Sequence, residues 1–520
     1  MKKVCIVLVC LGALPTIPAA RAPLSASAGM LSGSPAPSGS GFVPSPCPFV
    51  PAPDQIEGQT LHCGFVTVPE DRTRPLERQV HLAVAIFTAR GAATRAPLVF
   101  IGGGPGTFVL DSFGPRVTGS LAQDLASNRD FVMFDPRGVG FSQPSLYCDE
   151  LRDMFYSTIG TYRTRAQRTD DRVAAALACR DRLAGSGINL AAYTTETSAA
   201  DVNDLRIALG YGPVDVWGLS YGTRFGLRVE RDFPHAVRSL VLDSALPPSV
   251  NQLVDRAANA ERAFRVLFDA CAADAACASA YPALEQRFYD LVAALNATPA
   301  AFYAQHPRTG VVYRVVLTGD LLIQTLNDAL VQAFLIPLVP LAIAATSQGD
   351  FTLMSQATSL LSFDDGHSSG MFYSVNCVDE ANQTTAPRVA AARRTVRPEI
   401  VLALDEEARL RICEAWGAAE SRSSARTPVV SDAPALILAG EYDPLTPPDY
   451  GVIAGRTLRN SYLFEFPAVG HNVHRSTPCA HSMMMAFLAN PDVAPDAACI
   501  EGLPPPAWVV PSSFTAAPVR

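Results

Sequence analysis

The chain predicts an α/β fold with a mostly parallel central sheet and an inserted helical region. Three observations carry the prediction. Short, near-continuous apolar runs recur along the first half, as in strands buried on both faces of a parallel sheet. Helical patterns separate those runs, giving the alternation of a layered α/β protein. Between residues 246 and 427 the strand rhythm stops, and it resumes afterwards.

The elements follow in order. Met1-Lys2-Lys3, an apolar run from Val4 to Leu14 and small residues beyond it have the layout of a secretory signal, assigned to 1–22 with cleavage near Ala20, Ala22 or Ala28. Residues 23–53 are dominated by Ser, Pro, Gly and Ala and read as a flexible leader, because so little apolar surface does not offset ordering entropy. A first core segment, 54–245, holds expected strands at 63–68, 80–88, 97–101, 131–134, 214–217 and 239–242, with helices at 169–183 and 199–209. The insertion, 246–427, is expected to be a helical lid with amphipathic helices at 254–271 and 283–295 and no comparable strand rhythm. Its segment 329–345 is very apolar, yet it is short and broken by Pro337 and Pro340, so it reads as a buried lid helix and not a membrane span. Strands return at 435–439 and 462–466 in a second core segment, 428–490, followed by a C-terminal tail, 491–520.

Composition bounds the function. With 520 residues, 48% hydrophobic and 17% charged, the chain buries a large core. Its two lysines lie in the expected signal, leaving 41 − 2 = 39 arginines against 49 acids. A net acidic chain lacks the basic face that nucleic acid requires. Removing Cys5 and Cys10 with the signal leaves 12 − 2 = 10 cysteines, an even number that in an exported protein suggests disulfides. Order along the chain suggests Cys47/Cys63, Cys148/Cys179, Cys271/Cys277, Cys377/Cys413 and Cys479/Cys499. No C-x₂₋₄-C pair with nearby histidines suggests zinc. Neither a metal nor an organic cofactor is expected, and a monomer in the periplasm or outside the cell is assumed.

Gly218-Leu219-Ser220-Tyr221-Gly222 matches G-x-S-x-G between an expected strand and the helical run 223–232. Small residues flanking the serine suit a strained strand-to-helix reversal, which makes Ser220 the candidate nucleophile. A serine hydroxyl needs a base, and the base an orienting carboxylate. Asp443, before the turn Pro444-Leu445-Thr446-Pro447, and His471, in Val469-Gly470-His471, both follow expected strands and supply them in the order Ser, Asp, His. Glu441, His474 and His481 are weaker rivals; His474 and His481 fall in an apparent helix and read as surface or packing residues. His62, His81, His235, His306 and His367 are assigned structural roles. Gly102-Gly103-Gly104-Pro105-Gly106 lacks the lysine of a phosphate loop and reads instead as an oxyanion loop, with the N–H of Gly104 acting beside that of Tyr221. Asp135-Pro136-Arg137-Gly138 reads as a structural turn that fixes the oxyanion segment.

Taken together, Gly103-Gly104-Pro105-Gly106, the turn from Asp135 to Ser142, the Ser220 elbow, Gly370 to Cys377, and the block carrying Asp443 and His471 resemble the prolyl iminopeptidase branch of the α/β-hydrolases, and within it the secreted tripeptidyl-aminopeptidase-like enzymes. Gly102 departs from the histidine that many relatives carry there. The resemblance implies an α/β-hydrolase fold and release of residues from peptide N-termini, with acidic lid residues receiving the free amine; Asp379 and Glu380 match that acidic pair. A carboxylesterase acting on small esters is the alternative reading, and a non-catalytic binding protein on the same fold is the alternative of another class.

Overall fold

A computed structural model describes residues 41–363, 365–419 and 423–511. The expected signal and the leader as far as residue 40 lie outside the described residues. Eleven strands are found among them: β1 (Phe42–Pro44), β2 (Leu61–Pro69), β3 (Gln79–Phe87), β4 (Leu98–Ile101), β5 (Phe131–Phe134), β6 (Val214–Leu219), β7 (Val237–Asp243), β8 (Ala300–Gln305), β9 (Val312–Leu317), β10 (Ala435–Gly440) and β11 (Ser461–Phe466).

Nine of these form one sheet in the order β1-β2-β3-β5-β4-β6-β7-β10-β11. The edge β1-β2-β3 is antiparallel, and β3 meets β5 antiparallel. From β5 to β11 every neighbouring pair is parallel. All residues of β4, β5, β6 and β10 are buried, as strands covered by helices on both faces must be. The strand order reverses between β4, which has β5 on one side, and β6 on the other. A crevice outside the carboxyl ends of those strands is the place where such sheets build their sites.

The region between β7 and β10 carries its own apolar core. Phe264, Leu267, Phe288, Val292, Leu322 and Leu326 pack together from the helices Gln252–Ala273, Leu284–Ala297 and Gly319–Val331. All five expected cysteine pairs are joined.

Four expectations change. The leader is not wholly flexible: Phe42–Pro44 pairs with β2, Cys47 is tied to Cys63, and Phe49 is buried against Gly114. Two aromatic rings and a disulfide outweigh the local Ser/Pro/Gly bias. The insertion contains an antiparallel hairpin, β8-β9, whose alternate residues Phe302, Ala304, Val315 and Leu317 join the lid core. The expected lid helix at 329–345 is two helices, Gly319–Val331 and Val339–Ser347, the second starting where Pro340 is tolerated in a first turn. The C-terminal segment is more than a tail, because Trp508 and Val510 pack on the lid core and Val509 exchanges hydrogen bonds with Pro337 and Tyr281. Among the described residues no helix is long and apolar enough to cross a membrane.

Candidate active site

Ser220 sits in the tight turn between β6 and the helix Tyr221–Asp232, with φ 58° and ψ −123°. That left-handed conformation is costly for a side-chain-bearing residue and persists only where its surroundings enforce it. The enforcement is steric. A Cβ on Gly218 would lie 2.4 Å from the Gly222 carbonyl oxygen, and one on Gly222 would lie 2.0 Å from that of Ile101. The Ser220 N–H donates to the Asp243 carbonyl at 2.9 Å, so the end of β7 fixes the turn as well. Aligned amides of the following helix point positive potential at this position.

The glycine-rich segment after β4 comes close to the serine. A Cβ on Gly103 would be 3.0 Å from that of Ser220, and Gly104 follows with φ +110°. Asp135 secures the outgoing chain: its carboxylate accepts from the N–H groups of Val109, Leu110 and Phe141 at 2.8–3.0 Å. Complete burial pushes its carboxyl up to about 7 despite those donors. Arg137, expected to share this task, instead pairs with Asp201 at 2.6 Å and donates to the carbonyls of Pro69, Glu70 and Ala192. Lid residues brace the loop from above, with the His367 ring nitrogen Nε2 2.9 Å from the Pro105 carbonyl and Ser368 N–H donating to Gly106.

Asp443 and His471 follow β10 and β11, neighbouring parallel strands. Nδ1 of His471 is 2.7 Å from Oδ2 of Asp443. Asp443 is fully buried, and its remaining acceptor capacity is filled by Leu445 N–H, Thr446 N–H and the Thr446 hydroxyl at 2.7–2.9 Å. Burial alone would raise the carboxyl, but the His471 ring and these donors hold it below the ordinary carboxylate range. Conversely, burial opposes protonation of His471, and the charge and hydrogen bond of Asp443 outweigh it, so the imidazole titrates above its ordinary value.

The lid holds both loops. Arg262 donates to the carbonyls of Glu441 and Asp443 at 2.9 and 2.8 Å. His471 N–H donates to the Val331 carbonyl at the end of the helix Gly319–Val331, and a Cβ on Gly470 would strike the Leu330 carbonyl oxygen at 2.1 Å.

Sequence reasoning missed a second carboxylate–imidazole pair. Asp243, at the end of β7, accepts from Val473 N–H at 2.7 Å and faces Nδ1 of His474 at 2.8 Å. His474 is buried with its ring edge-on to Trp217, 4.2 Å between centroids, and burial lowers its pKa. It is a packing residue, and its partner Asp243 ties the serine turn to the His471 loop. The ordering of β7 between β6 and β10 is the signal that would have exposed it, and that order is not readable from strand patterns.

Asp379 and Glu380 do not form an open acidic pair. Glu380 is 1% exposed; one carboxylate oxygen is 2.6 Å from Arg224 and the other accepts from Leu253 N–H. Asp379 is buried too, accepting from the Thr195 hydroxyl at 2.7 Å, and that hydroxyl is 2.8 Å from the Tyr221 phenol. Burial favours the uncharged Asp379 carboxyl. These acids anchor the helix after Ser220, because leaving Arg224 without a counter-charge in the interior would cost several kcal/mol, roughly 3–5. Among the described residues the one three-member cluster of potential metal ligands, Cys148, Glu150 and Cys179, spends both sulfurs on a disulfide.

A sheet of this order, with a serine at a strained turn after β6 and a carboxylate–imidazole pair after β10 and β11, defines a serine hydrolase of the α/β class. The chain belongs to the alpha/beta hydrolase fold family, whose model matches residues 96–476. Among curated relatives it is 27% identical over 487 residues to the serine protease Hip1 of Mycobacterium tuberculosis, covering 87% of this chain and 90% of that one. It is 28% identical over 476 residues to carboxylesterase B of Mycobacterium tuberculosis, covering 85% and 86%. To the tripeptidyl aminopeptidase of Streptomyces lividans it is 35% identical over 203 residues, 37% of each chain.

Proposed function

We propose that Ser220, His471 and Asp443 form the catalytic triad of an exported exopeptidase that releases residues from peptide N-termini through an acyl-enzyme. The 2.7 Å contact between His471 and Asp443, past the carboxyl ends of β11 and β10 in the same parallel run of strands whose β6 leads into Ser220, is the observation that carries this reading. With Nδ1 directed at the carboxylate, Nε2 is left as the base. It takes the Ser220 proton as the oxygen attacks a substrate carbonyl. The N–H groups of Gly104 and Tyr221 receive the developing oxyanion, each such donor being worth about 3 kcal/mol of barrier in comparable sites. His471 then protonates the leaving amine, and water attacks the acyl-enzyme by the same relay.

The peptidase reading leans on the relatives named serine protease and tripeptidyl aminopeptidase. Recognition of a free amine is not assigned to Asp379 and Glu380, whose carboxylates are occupied internally. A carboxylesterase is the second reading, favoured by the relative of that name, which matches most of the chain. Five disulfides support export to an oxidising compartment.

Two measurements test the proposal. A fluorophosphonate should label wild type and leave Ser220→Ala unlabelled; equal labelling of both overturns the triad. Aminoacyl and tripeptidyl arylamides should be cleaved only with a free N-terminus, whereas preference for N-acetylated substrates or short esters favours the esterase.

A further inference from the structure

Three guanidinium groups from separate elements gather around one carboxylate in the lid. Glu406, just before the helix Glu407–Trp416, receives Arg256 at 2.7 Å on one oxygen and both arms of the Arg409 fork, at 2.9 Å on the other oxygen and 3.2 Å on the first. Arg172, from the helix Arg165–Gly185, donates through Nε to the Tyr373 hydroxyl at 3.1 Å, a neutral partner. Arg409 also lies over the Phe372 ring, 5.0 Å from its centroid, which fixes the plane of its fork. Glu406 is nearly enclosed, with its side chain 6% exposed, whereas that of Arg256 is 35% exposed and Arg172 is open to solvent. Two further acids act on the cluster: Asp328, half-buried beside Arg256, whose own burial favours the uncharged form, and Glu380, which acts on Arg409 from its pairing with Arg224. Three cations therefore share Glu406 as their direct counter-charge, while Glu380 is already matched by Arg224. Besides burial, repulsion from Arg256 and Arg172 holds the Arg409 guanidinium below its ordinary value.

The elements that carry the cluster also reach the proposed site. Phe372 is four residues past Ser368, which bonds the Gly106 carbonyl, and its ring is 5.6 Å from that of His367 on the same loop. Arg256 is one helical turn beyond Gln252, whose amide donates to the Leu445 carbonyl, two residues past Asp443. Asp328 is one turn before Val331, the acceptor for His471 N–H. Each of three elements bounding the cluster thus holds a different part of the proposed site.

We infer that Arg172 and Arg256, with Arg409 holding Glu406 behind them, form a carboxylate-binding subsite that takes an anionic group of a short peptide, either its C-terminus or an acidic side chain. Arginine forks match a carboxylate with two parallel hydrogen bonds, and the unpaired charge around Glu406 supplies the attraction. The subsite deepens the peptidase reading by specifying a substrate that carries negative charge, and it rests on that reading for its substrate class.

The test uses Ser220→Ala, so that binding is read without turnover. Calorimetry compares trialanine with trialanine amide, and Ala-Glu-Ala amide with Ala-Gln-Ala amide. At least one acid should bind about tenfold more tightly than its neutral partner, as expected for one charge-assisted contact. The first pair reports a C-terminal carboxylate and the second a side chain. Adding Arg172→Gln should reduce that ratio to below about twofold. Ratios within about twofold for both pairs, or a preference that survives Arg172→Gln, overturn the subsite. The Ser220→Ala comparison stands even if the arginine variant fails to fold. A failed triad would show separately, as wild type that a fluorophosphonate does not label at Ser220.

Discussion

The proposed nucleophile and its proposed partners are held by different parts of the molecule. Ser220 is locked from below, by glycines that let β4, β6 and their turns touch and by the Asp243 carbonyl at the end of β7. Asp443 and His471 are locked from above, by Arg262 and by the carbonyl ends of the helix Gly319–Val331. The difference teaches that the serine geometry is a property of the sheet, while the alignment of base and acid draws on the lid as well as on Asp243 at the end of β7. Changes in the lid should therefore act on catalysis without passing through core stability.

The largest effects ignore this division. Ser220→Ala and Asp443→Asn should each lower kcat by about 10⁴-fold or more, with thermal unfolding of Ser220→Ala close to wild type. A residual rate in Asp443→Asn within about tenfold of wild type would show that His471 does not depend on that carboxylate for its tautomer.

A matched pair of glycine substitutions separates the two supports. In Gly222→Ala the new Cβ meets the Ile101 backbone inside the core, so a stability loss of about 3 kcal/mol should accompany lost activity. In Gly470→Ala the new Cβ meets the Leu330 carbonyl, and the lid helix or the His471 loop must shift. A displacement of about 1 Å costs on the order of 10²-fold in rate. Because this clash is also with backbone, Gly470→Ala should cost stability as well, about 1 kcal/mol and less than Gly222→Ala, since the lid helix end can move away from the sheet. Equal destabilisation by both substitutions would erase the distinction.

The division also explains what was legible in the sequence. Strands β4, β6, β10 and β11, the strained serine turn and the positions of Asp443 and His471 past two of those strands were readable, because each is announced locally: an apolar run, then glycine, aspartate or histidine at its carboxyl end. Asp243, Arg262 and Thr446 were not, because their roles depend on which strand lies beside which and on how the insertion folds back. The hairpin β8-β9 was lost for a similar reason, since its outer face is exposed and its inner apolar residues find partners only across the lid core. Asp379 and Glu380 show the converse error. A motif position suggested an open acidic pair, and a buried arginine that no local pattern reveals had claimed one of them.

Acidity sharpens the contrast. The proposed mechanism requires the neutral His471 ring, so kcat/KM should rise with pH through a pKa above the usual imidazole value. In Asp443→Asn the burial that disfavours the imidazolium remains and the opposing charge is gone, so this acidic limb should move to lower pH. Asp243→Asn should move it in the same direction by less, because Asp243 acts on His471 through space. The pH profile of residual hydrolysis of an activated ester checks both shifts, and a limb that stays fixed in Asp443→Asn would contradict the electrostatic assignment.

The smallest effect lies at the far end of the lid. The Tyr281 hydroxyl donates to the Val509 carbonyl, pinning the C-terminal segment to the core that also contains Phe264 and Leu326. Tyr281→Phe removes one partly buried hydrogen bond and keeps the ring, so it should cost about 1 kcal/mol in denaturation. Both ends of this contact are remote in sequence from the segments that touch Asp443 and His471, and the lid core stands between them. If kcat in Tyr281→Phe falls by more than about twofold, the lid behaves as one rigid support for the catalytic groups; an unchanged kcat confines that support to Arg262, Leu330 and Val331.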